Sequence, residues 1–198
     1  KQVIADFVSA AGRASDAGFD LIELHGAHGY LINAFLSPPL NQRNDCYGGS
    51  AENRFRMVRE LTQRVRDRIS PDCLLGMRIN GDDQLDGGLE IKDYIDIAKE
   101  LSELGVDVFH ISAGTYRVME QRITPMYLPE APFVKYAERF KQHLDVPIIA
   151  SGSIHSIEMC ENVVRTGMAD LVAMARPLFA DPELPTKIFE GNEDAIIP

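Results

Sequence analysis

Short apolar runs recur along the chain at intervals that fit the buried strands of a parallel sheet. Each run is rich in Leu, Ile, Val or Ala and is bounded by polar or turn-forming residues. Largely apolar strands are typical of parallel sheets, because helices pack on the faces of such sheets. We interpret the following runs as strands: 20–24, 74–79, 106–111, 147–150 and 170–174.

Between these runs, apolar residues return at the spacing of an α-helix. Ser50 is a predicted N-cap, and Gly18, Gly105 and Gly167 stand where helices are expected to end. The predicted apolar stripes are Val3, Phe7, Ala10, Ala11 and Ala14; Phe55, Val58, Leu61, Val65 and Ile69; Ile91, Tyr94, Ile95, Ala98 and Leu101; and Phe133, Ala137, Phe140 and Leu144. Strands that alternate with helices in this way predict an α/β fold with a parallel sheet.

Consecutive strand–helix units fit two architectures, an open doubly wound sheet or a (β/α)8 barrel. The turn after the first strand lacks a G-x-G-x-x-G motif, which weakens the dinucleotide-binding alternative. Ser151-Gly152-Ser153 follows the fourth run and Ala175-Arg176-Pro177 follows the fifth. Small residues and an Arg suit a phosphate, and a phosphate site after the last strands is typical of barrels. We therefore predict one domain over residues 1–198, an incomplete (β/α)8 TIM barrel with about strands 4 to 8 present.

The composition narrows the classes of partner. The net charge is −10 at pH 7, and a nucleic-acid partner is not expected because phosphate backbones require a basic face. No apolar run reaches the ~18 residues of a membrane span, so no membrane partner is expected either. Three scattered cysteines, Cys46, Cys73 and Cys160, lack zinc or iron–sulfur spacing and favour a reducing, cytoplasmic setting. Because the sequence starts at Lys1, we expect it to be part of a longer protein.

The stretch most informative for chemistry is His25-Gly26-Ala27-His28-Gly29-Tyr30, directly after the first predicted strand. Loops at the carboxyl ends of parallel strands carry the functional groups of many α/β enzymes. Two imidazoles can donate hydrogen bonds to one oxygen, and a neighbouring phenol can deliver a proton. His25, His28 and Tyr30 are therefore the predicted catalytic residues, in a site for a carbonyl whose oxygen becomes negative in the transition state.

Further motifs make this pattern specific. The stretch is followed by Phe35-Leu36-Ser37-Pro38 and by the run NQRNDCYGGSAENR at 41–54. With Arg78, Gly152 and Ala175-Arg176 in matching order, nearly the whole chain resembles the carboxyl-terminal part of the barrel in the old yellow enzyme family of NAD(P)H:flavin oxidoreductases. The ending is similar to the segment that leads into a 4Fe–4S cluster in the branch of 2-enoate and dienoyl-CoA reductases. The cluster cysteines are not in this chain, so such a centre would belong to a longer protein.

The resemblance implies ene reduction. FMN would be the cofactor, NADH or NADPH the reductant, and a small α,β-unsaturated carbonyl or enoate the substrate. In the family, hydride reaches the β-carbon while two histidines hold the carbonyl oxygen and a tyrosine protonates the α-carbon. His25, His28 and Tyr30 occupy the positions of these three residues.

The resemblance also implies the cofactor-binding residues. Arg78 matches the strand arginine that faces the pyrimidine end of the flavin. Gly152, Ala175 and Arg176 match the positions that hold the phosphate, and Ser151 joins them from the small-residue loop after the fourth strand.

Several residues have alternative interpretations. His25 and His28 could ligate a metal, but no third ligand stands at a suitable spacing. Arg78 could form a structural ion pair with Asp82 or Asp83. The run 41–54 is expected to be structural: a loop held in place by hydrogen bonds, followed by a helix with an N-cap. His110 is a minor candidate that faces either the site or the core.

Three other functions remain as alternatives to ene reduction for the whole protein. One is a flavin-dependent amine dehydrogenase of the same family, and another is a phosphosugar aldolase or isomerase. The aldolase interpretation predicts a lysine or carboxylate at a strand end, where His and Arg stand instead. The third is a non-catalytic truncated barrel that mediates subunit contacts. Because missing strands leave open edges, we expect a homo-oligomer or dependence on upstream chain.

The segment 113–130 is long for a loop in a compact domain. It contains Tyr116, Met119, Met126 and Tyr127. Long loops are commonly functional. We expect this one to cover the substrate side of the flavin and to set substrate choice.

Overall fold

The computed structural model describes residues 1–118, 123–125, 127 and 129–197. Its centre is a parallel five-stranded sheet in which neighbouring strands follow each other in sequence. The strands are Leu21–Gly26 (β1), Leu74–Asn80 (β2), Val108–Ser112 (β3), Ile148–Ser151 (β4) and Leu171–Ala173 (β5). The predicted parallel α/β sheet is therefore confirmed, with strand ends within two residues of the predicted ones.

Helices alternate with the strands. They are Gln2–Asp16 (α1), Leu31–Leu36 (α2), Ala51–Arg68 (α3), Ile91–Glu103 (α4), Val134–Lys141 (α5), Ile157–Arg165 (α6), Arg176–Ala180 (α7) and Leu184–Phe189 (α8), followed by a 3₁₀ turn at Glu193–Ala195. Ser50 caps α3, since its Oγ accepts from the Asn53 N–H at 3.3 Å. Gly105 and Gly167 follow helices with positive φ angles, which glycine adopts readily. Across the part of the chain that is described, no helix is long and apolar enough to cross a membrane.

The strands alternate between an apolar and a polar face, because successive side chains of a strand point to opposite sides. The buried apolar positions, which pack with the helices, are Leu24, Leu75, Met77, Ile79, Phe109, Ile111, Ile148 and Ala150. The polar residues between them are Glu23, His25, Arg78, Asn80, His110, Ser112 and Ser151. The helices therefore cover the apolar face, and the polar face carries the groups that can form a site.

The strand register brings polar residues of three strands side by side. His25 of β1 lies opposite Arg78 of β2, and Arg78 lies opposite His110 of β3. Two residues further along, Asn80 lies opposite Ser112. Neighbours in register point to the same face, so these side chains gather near the carboxyl ends of the strands.

The loop between α2 and α3 is structural, as expected. Asn41 Nδ2 donates to the carbonyl oxygens of Phe35 and Tyr47, both at 2.7 Å. Arg54 Nε donates to the Leu36 carbonyl at 2.8 Å. These bonds fasten the loop to α2 and α3, so the conspicuous run at 41–54 supports the scaffold.

Candidate active site

The three predicted catalytic side chains form one cluster after β1. The ring centroids of His25 and His28 are 5.1 Å apart, and those of His25 and Tyr30 are 5.4 Å apart. The rings of His28 and Tyr30 complete the triangle at 6.5 Å. Tyr30 is 49% exposed, whereas His28 is 9% exposed. The structure thus brings the two imidazoles and the phenol together, with the phenol on the open side.

The backbone at His28 adopts an uncommon conformation. Its φ is 66°, in the left-handed region, and Gly29 follows with a φ of 77°. For a residue with a Cβ this conformation costs about 1–2 kcal/mol. Asn80 Oδ1 accepts from the His28 N–H at 3.2 Å, and Asn33 Oδ1 accepts from the Gly29 N–H at 2.5 Å. Two buried amides therefore hold the turn that presents His28.

Ser112, at the end of β3, contacts the ring of His28. The distance between Ser112 Oγ and His28 Nε2 is 2.7 Å, and both residues are buried. A hydroxyl on one ring nitrogen fixes the plane of an imidazole. Ser112 was not among the predicted site residues, although it stands two positions after His110 on the same face of its strand.

Arg78 lies on the polar face beside His25. Burial lowers the pKa of its guanidinium below the ordinary value, and the charge of Glu23 partly opposes this shift. Its Nε is buried without a hydrogen-bond partner in the described chain. The alternative ion pair with Asp82 or Asp83 is wrong, since neither carboxylate pairs with Arg78 in the described structure and Asp83 is bonded elsewhere. A buried N–H of this kind favours a ligand that accepts a hydrogen bond.

His110 faces the site rather than the apolar core. Its Nδ1 lies 3.0 Å from Glu23 Oε2, and its Nε2 is buried with no partner among the described residues. The pair spans from β3 to β1 on the face that carries Arg78. Among the residues with described positions, no three His, Cys, Asp or Glu side chains come together as a metal site.

Ser151 and Gly152 lie at the carboxyl end of β4. Ser151 Oγ donates to the Ile111 carbonyl at 2.8 Å, so this hydroxyl serves the pairing of β4 with β3. Gly152 has a φ of 105°, and a Cβ there would lie 2.3 Å from Phe133 Cδ2. Both the backbone conformation and the packing therefore require glycine at this position.

Arg176 follows β5 at the start of α7, with Ala175 as the N-cap residue. Its Nη2 donates to Ser153 Oγ at 2.5 Å, and its Nη1 donates to the Thr124 carbonyl at 3.3 Å. The guanidinium is thus held against the loop after β4. A planar cation beside a small-residue loop suits a phosphate.

A cavity of about 750 Å³ connects these groups, and its lining includes Arg78, His110, Gly152 and Arg176. Its volume is in the range of cofactor sites, about 300–1,000 Å³. Its lining does not include His25, His28 or Tyr30, but His25 lies opposite the lining residue Arg78 in the strand register. The unpartnered Nε of Arg78 and the guanidinium of Arg176 suit a ligand with an acceptor edge and an anionic end, so the residues present fit FMN.

Four buried polar side chains behind the turn at His28 were not predicted as site residues. They are Asn33, Asn80, Asp83 and Tyr94. Asn80 could have been recognised from the sequence, because it lies two residues after Arg78 and therefore on the same face of β2. Tyr94 was predicted as a core residue from its helical spacing, and its position confirms this, but its hydroxyl is bonded to Asp83 at 2.6 Å.

Part of the segment 113–130 packs against the turn at His28 and Gly29. The Tyr116 N–H donates to the His28 carbonyl at 3.0 Å. A Cβ at Gly29 would lie 2.6 Å from Tyr116 Cδ1, so this ring sits directly on the turn. Met119 and Met126 lie outside the described residues. The substrate-covering role of the segment stays a prediction.

Comparison with protein families gives one assignment over nearly the whole chain. The model of a family described as NADH:flavin oxidoreductase / NADH oxidase matches residues 1–195. NADH oxidase from Thermoanaerobacter brockii is 42% identical over 196 residues, which make up 99% of this chain and 30% of that protein. The chain therefore spans less than a third of the length of this relative.

Solved structures agree with this assignment. The complex of 2-naphthoyl-CoA reductase with 2-naphthoyl-CoA matches with a TM-score of 0.93 and 32% identity, over 99% of this chain and 30% of that chain. Histamine dehydrogenase from Rhizobium sp. 4-9 matches with a TM-score of 0.85 and 33% identity, over 99% and 29% of the two chains. These neighbours are TIM-barrel proteins matched over a fragment, which confirms the predicted incomplete barrel. The chain belongs to the NADH:flavin oxidoreductase / NADH oxidase family, the FMN-dependent old yellow enzyme family.

Proposed function

We propose that the full-length protein reduces the C=C bond of an α,β-unsaturated carbonyl or enoate, with FMN as cofactor and NADH or NADPH as reductant. The observation that carries this proposal is the cluster of His25, His28 and Tyr30 beside Arg78. The similarity to 2-naphthoyl-CoA reductase supports it, because the acyl group of 2-naphthoyl-CoA is a conjugated thioester.

His25 and His28 would bind the carbonyl oxygen of the substrate. Negative charge develops on this oxygen as the β-carbon is reduced. Two donors fixed in advance stabilise that charge more than they stabilise the neutral carbonyl, so they lower the barrier. Ser112 and Asn80 hold the ring and backbone of His28, which limits reorganisation during the reaction.

Tyr30 would supply the proton that the α-carbon requires. A phenol carries an O–H donor and can act as a general acid. The ring lies 5.4 Å from that of His25, so its hydroxyl belongs to the same substrate site. Because Tyr30 is half exposed, water can return the proton after each turnover.

FMN, when bound and reduced by NAD(P)H, supplies the hydride. Arg78 would hold an acceptor on the flavin edge through its buried, unpartnered Nε. Gly152, Ala175 and Arg176, which also line the cavity, would hold the phosphate together with the backbone of Ser151.

The test uses the full-length protein with its bound cofactor under anaerobic conditions. Oxidised flavin absorbs near ~450 nm. We expect NADPH or NADH to bleach this band and 2-cyclohexenone to restore it with formation of cyclohexanone. Bleaching without recovery by any enone or enoate would contradict ene reduction.

Amine oxidation is the second candidate, favoured by the similarity to histamine dehydrogenase. The two functions predict opposite roles for the substrate. An amine substrate bleaches the flavin in the absence of NAD(P)H, whereas an enone restores the colour of flavin that is already reduced. Histamine and 2-cyclohexenone, each added anaerobically to the same preparation, therefore separate the two candidates.

We also propose that residues 1–198 form the carboxyl-terminal portion of a single FMN-binding barrel domain. The match to 2-naphthoyl-CoA reductase over 99% of this chain supports this proposal. Limited proteolysis of the full-length flavoprotein should leave these residues attached to the chain that precedes them. Early cleavage just before residue 1, with retention of FMN by the upstream piece alone, would contradict it.

A further inference from the structure

We propose that four buried side chains form a positioning network that fixes the turn at His28 and thereby sets the direction of its imidazole. The four are Asn33, Asn80, Asp83 and Tyr94, each with 0% exposure. The proposal deepens the proposed function and rests on it for its activity readout. Its structural readout does not depend on any substrate.

Asp83 is the centre of the network. Its Oδ1 accepts from the Tyr94 hydroxyl at 2.6 Å, from Asn80 Nδ2 at 3.1 Å and from Asn33 Nδ2 at 3.2 Å. Its Oδ2 accepts from the Leu89 N–H at 3.0 Å. Burial and the charge of Asp83 raise the pKa of Tyr94 well above its ordinary value, so its hydroxyl remains a donor. A carboxylate accepts hydrogen bonds and donates none, so both amides must turn their NH₂ groups toward it.

The orientation of the amides determines which atoms face the turn. With its Nδ2 on Asp83, Asn80 presents Oδ1 to the His28 N–H. In the same way, Asn33 presents Oδ1 to the Gly29 N–H. Rotation of either amide by half a turn would place NH₂ against a backbone N–H and leave two donors facing each other without an acceptor. The single carboxylate thus fixes both acceptors of the turn.

The conformation of this turn then fixes the position of the His28 imidazole. The left-handed φ of His28 is unfavourable for a residue with a Cβ, so it persists because the surrounding bonds impose it. From this backbone the His28 ring reaches Ser112 Oγ at 2.7 Å and lies 5.1 Å from the ring of His25. A turn that relaxed to an ordinary φ would move the ring away from both neighbours. The network therefore acts on the substrate through His28 and does not touch it.

Asp83→Asn in the full-length flavoprotein tests the network. The new amide places a donor against either the Leu89 N–H or the three donors on Oδ1. We expect amide hydrogen exchange at His28 and Gly29 to accelerate about tenfold or more, and enone reduction to slow about tenfold, with FMN content unchanged. Mass spectrometry with fragmentation to single residues measures the exchange. Asp82→Asn removes the same charge one residue away and should change neither readout.

Asn80→Ala is the second variant. It removes the acceptor of the His28 N–H and leaves that of Gly29 in place. We expect faster exchange at His28 and continued protection at Gly29, and this variant decides the proposal if Asp83→Asn does not fold. Unchanged exchange at His28, or faster exchange with undiminished turnover, would overturn the proposal. If the wild type reduces no enone, the proposed function fails while the exchange data still decide whether the network holds the turn.

Discussion

At the scale of the residue, the site consists of polar side chains at alternate positions of otherwise apolar strands. Arg78 stands between Met77 and Ile79, whose side chains are fully buried on the helix-covered face. His110 occupies the same kind of position in β3, and both polar residues line the cavity. A polar residue at such a position loses hydration without joining the apolar core, so its presence indicates a ligand or a polar partner.

Tyr30→Phe should separate proton transfer from packing. The phenyl ring can keep the contact with His25, while the acid is lost. We expect oxidation of the reduced flavoprotein by 2-cyclohexenone to slow by about 10²- to 10⁴-fold, and reduction by NADPH to stay close to wild type. Stopped-flow measurement of the two half-reactions tests this. Tyr47→Phe, which removes a phenol hydroxyl in the loop between α2 and α3, is the control. An equal slowing of both half-reactions in Tyr30→Phe would contradict a role as proton donor.

The clustering of the three candidate catalytic residues could be predicted because they are close in sequence. His25, His28 and Tyr30 lie within six residues, so their proximity follows from local chain geometry. Asp83 and Asn33 meet across 50 residues of sequence, and no local pattern marks either of them. Their hydrogen bond depends on the packing of α2 beside the loop after β2, which only the fold establishes.

At the scale of the element, an Asp just before a strand binds the backbone at the start of the strand that precedes it in sequence. Asp107, just before β3, accepts from the Leu75 N–H of β2 at 2.8 Å and pairs with Arg66 of α3 at 3.0 Å. Asp170, just before β5, makes the corresponding bonds to β4 and α5. The strands and helices were predictable from periodicity. These carboxylate interactions were not, because the backbone N–H groups bonded to Asp107 and Asp170 lie 32 and 22 residues away in sequence.

The interactions of Asp170 make the stability of the fold depend on pH. Its carboxylate accepts from the Ile148 N–H at 2.8 Å and pairs with Lys141 at 2.8 Å. Burial acts to raise the pKa of Asp170, but these two partners outweigh burial and hold the pKa below its ordinary value. A depressed pKa means that the carboxylate stabilises the fold above its unfolded-state pKa. That contribution disappears as the pH falls through the folded-state pKa.

Asp170→Asn should lower the free energy of unfolding by about 1 kcal/mol at pH 7, because the amide keeps an acceptor for Ile148 but loses the pairing with Lys141. The difference between wild type and variant should shrink as the pH falls below about 4. Urea unfolding of the full-length protein at several pH values measures both effects. Asp145→Asn, at an exposed position, is the control. A difference that stays constant down to acid pH would show that the charge of Asp170 contributes nothing.

At the scale of the whole molecule, the sheet has two outer strands. In the described structure β1 pairs with β2 and β5 pairs with β4, which leaves one side of each outer strand available. Both outer strands carry exposed apolar side chains, with Leu21 39% exposed and Leu171 51% exposed. The strand–helix alternation made the barrel segment predictable, but what covers its edges depends on chain or partners beyond these residues. Available strand edges with apolar side chains favour pairing with another chain.

The 198-residue chain on its own should therefore self-associate through its outer strands. Sedimentation velocity over a range of concentrations should show oligomers that grow with concentration. Leu171→Lys should weaken this association, because a charge on an outer strand opposes pairing with another edge. Val164→Lys places the same charge at a similarly exposed apolar position on α6 and should leave the association unchanged. Equal effects of the two substitutions would indicate unspecific association, and a monomer at every concentration would show that the edges do not pair.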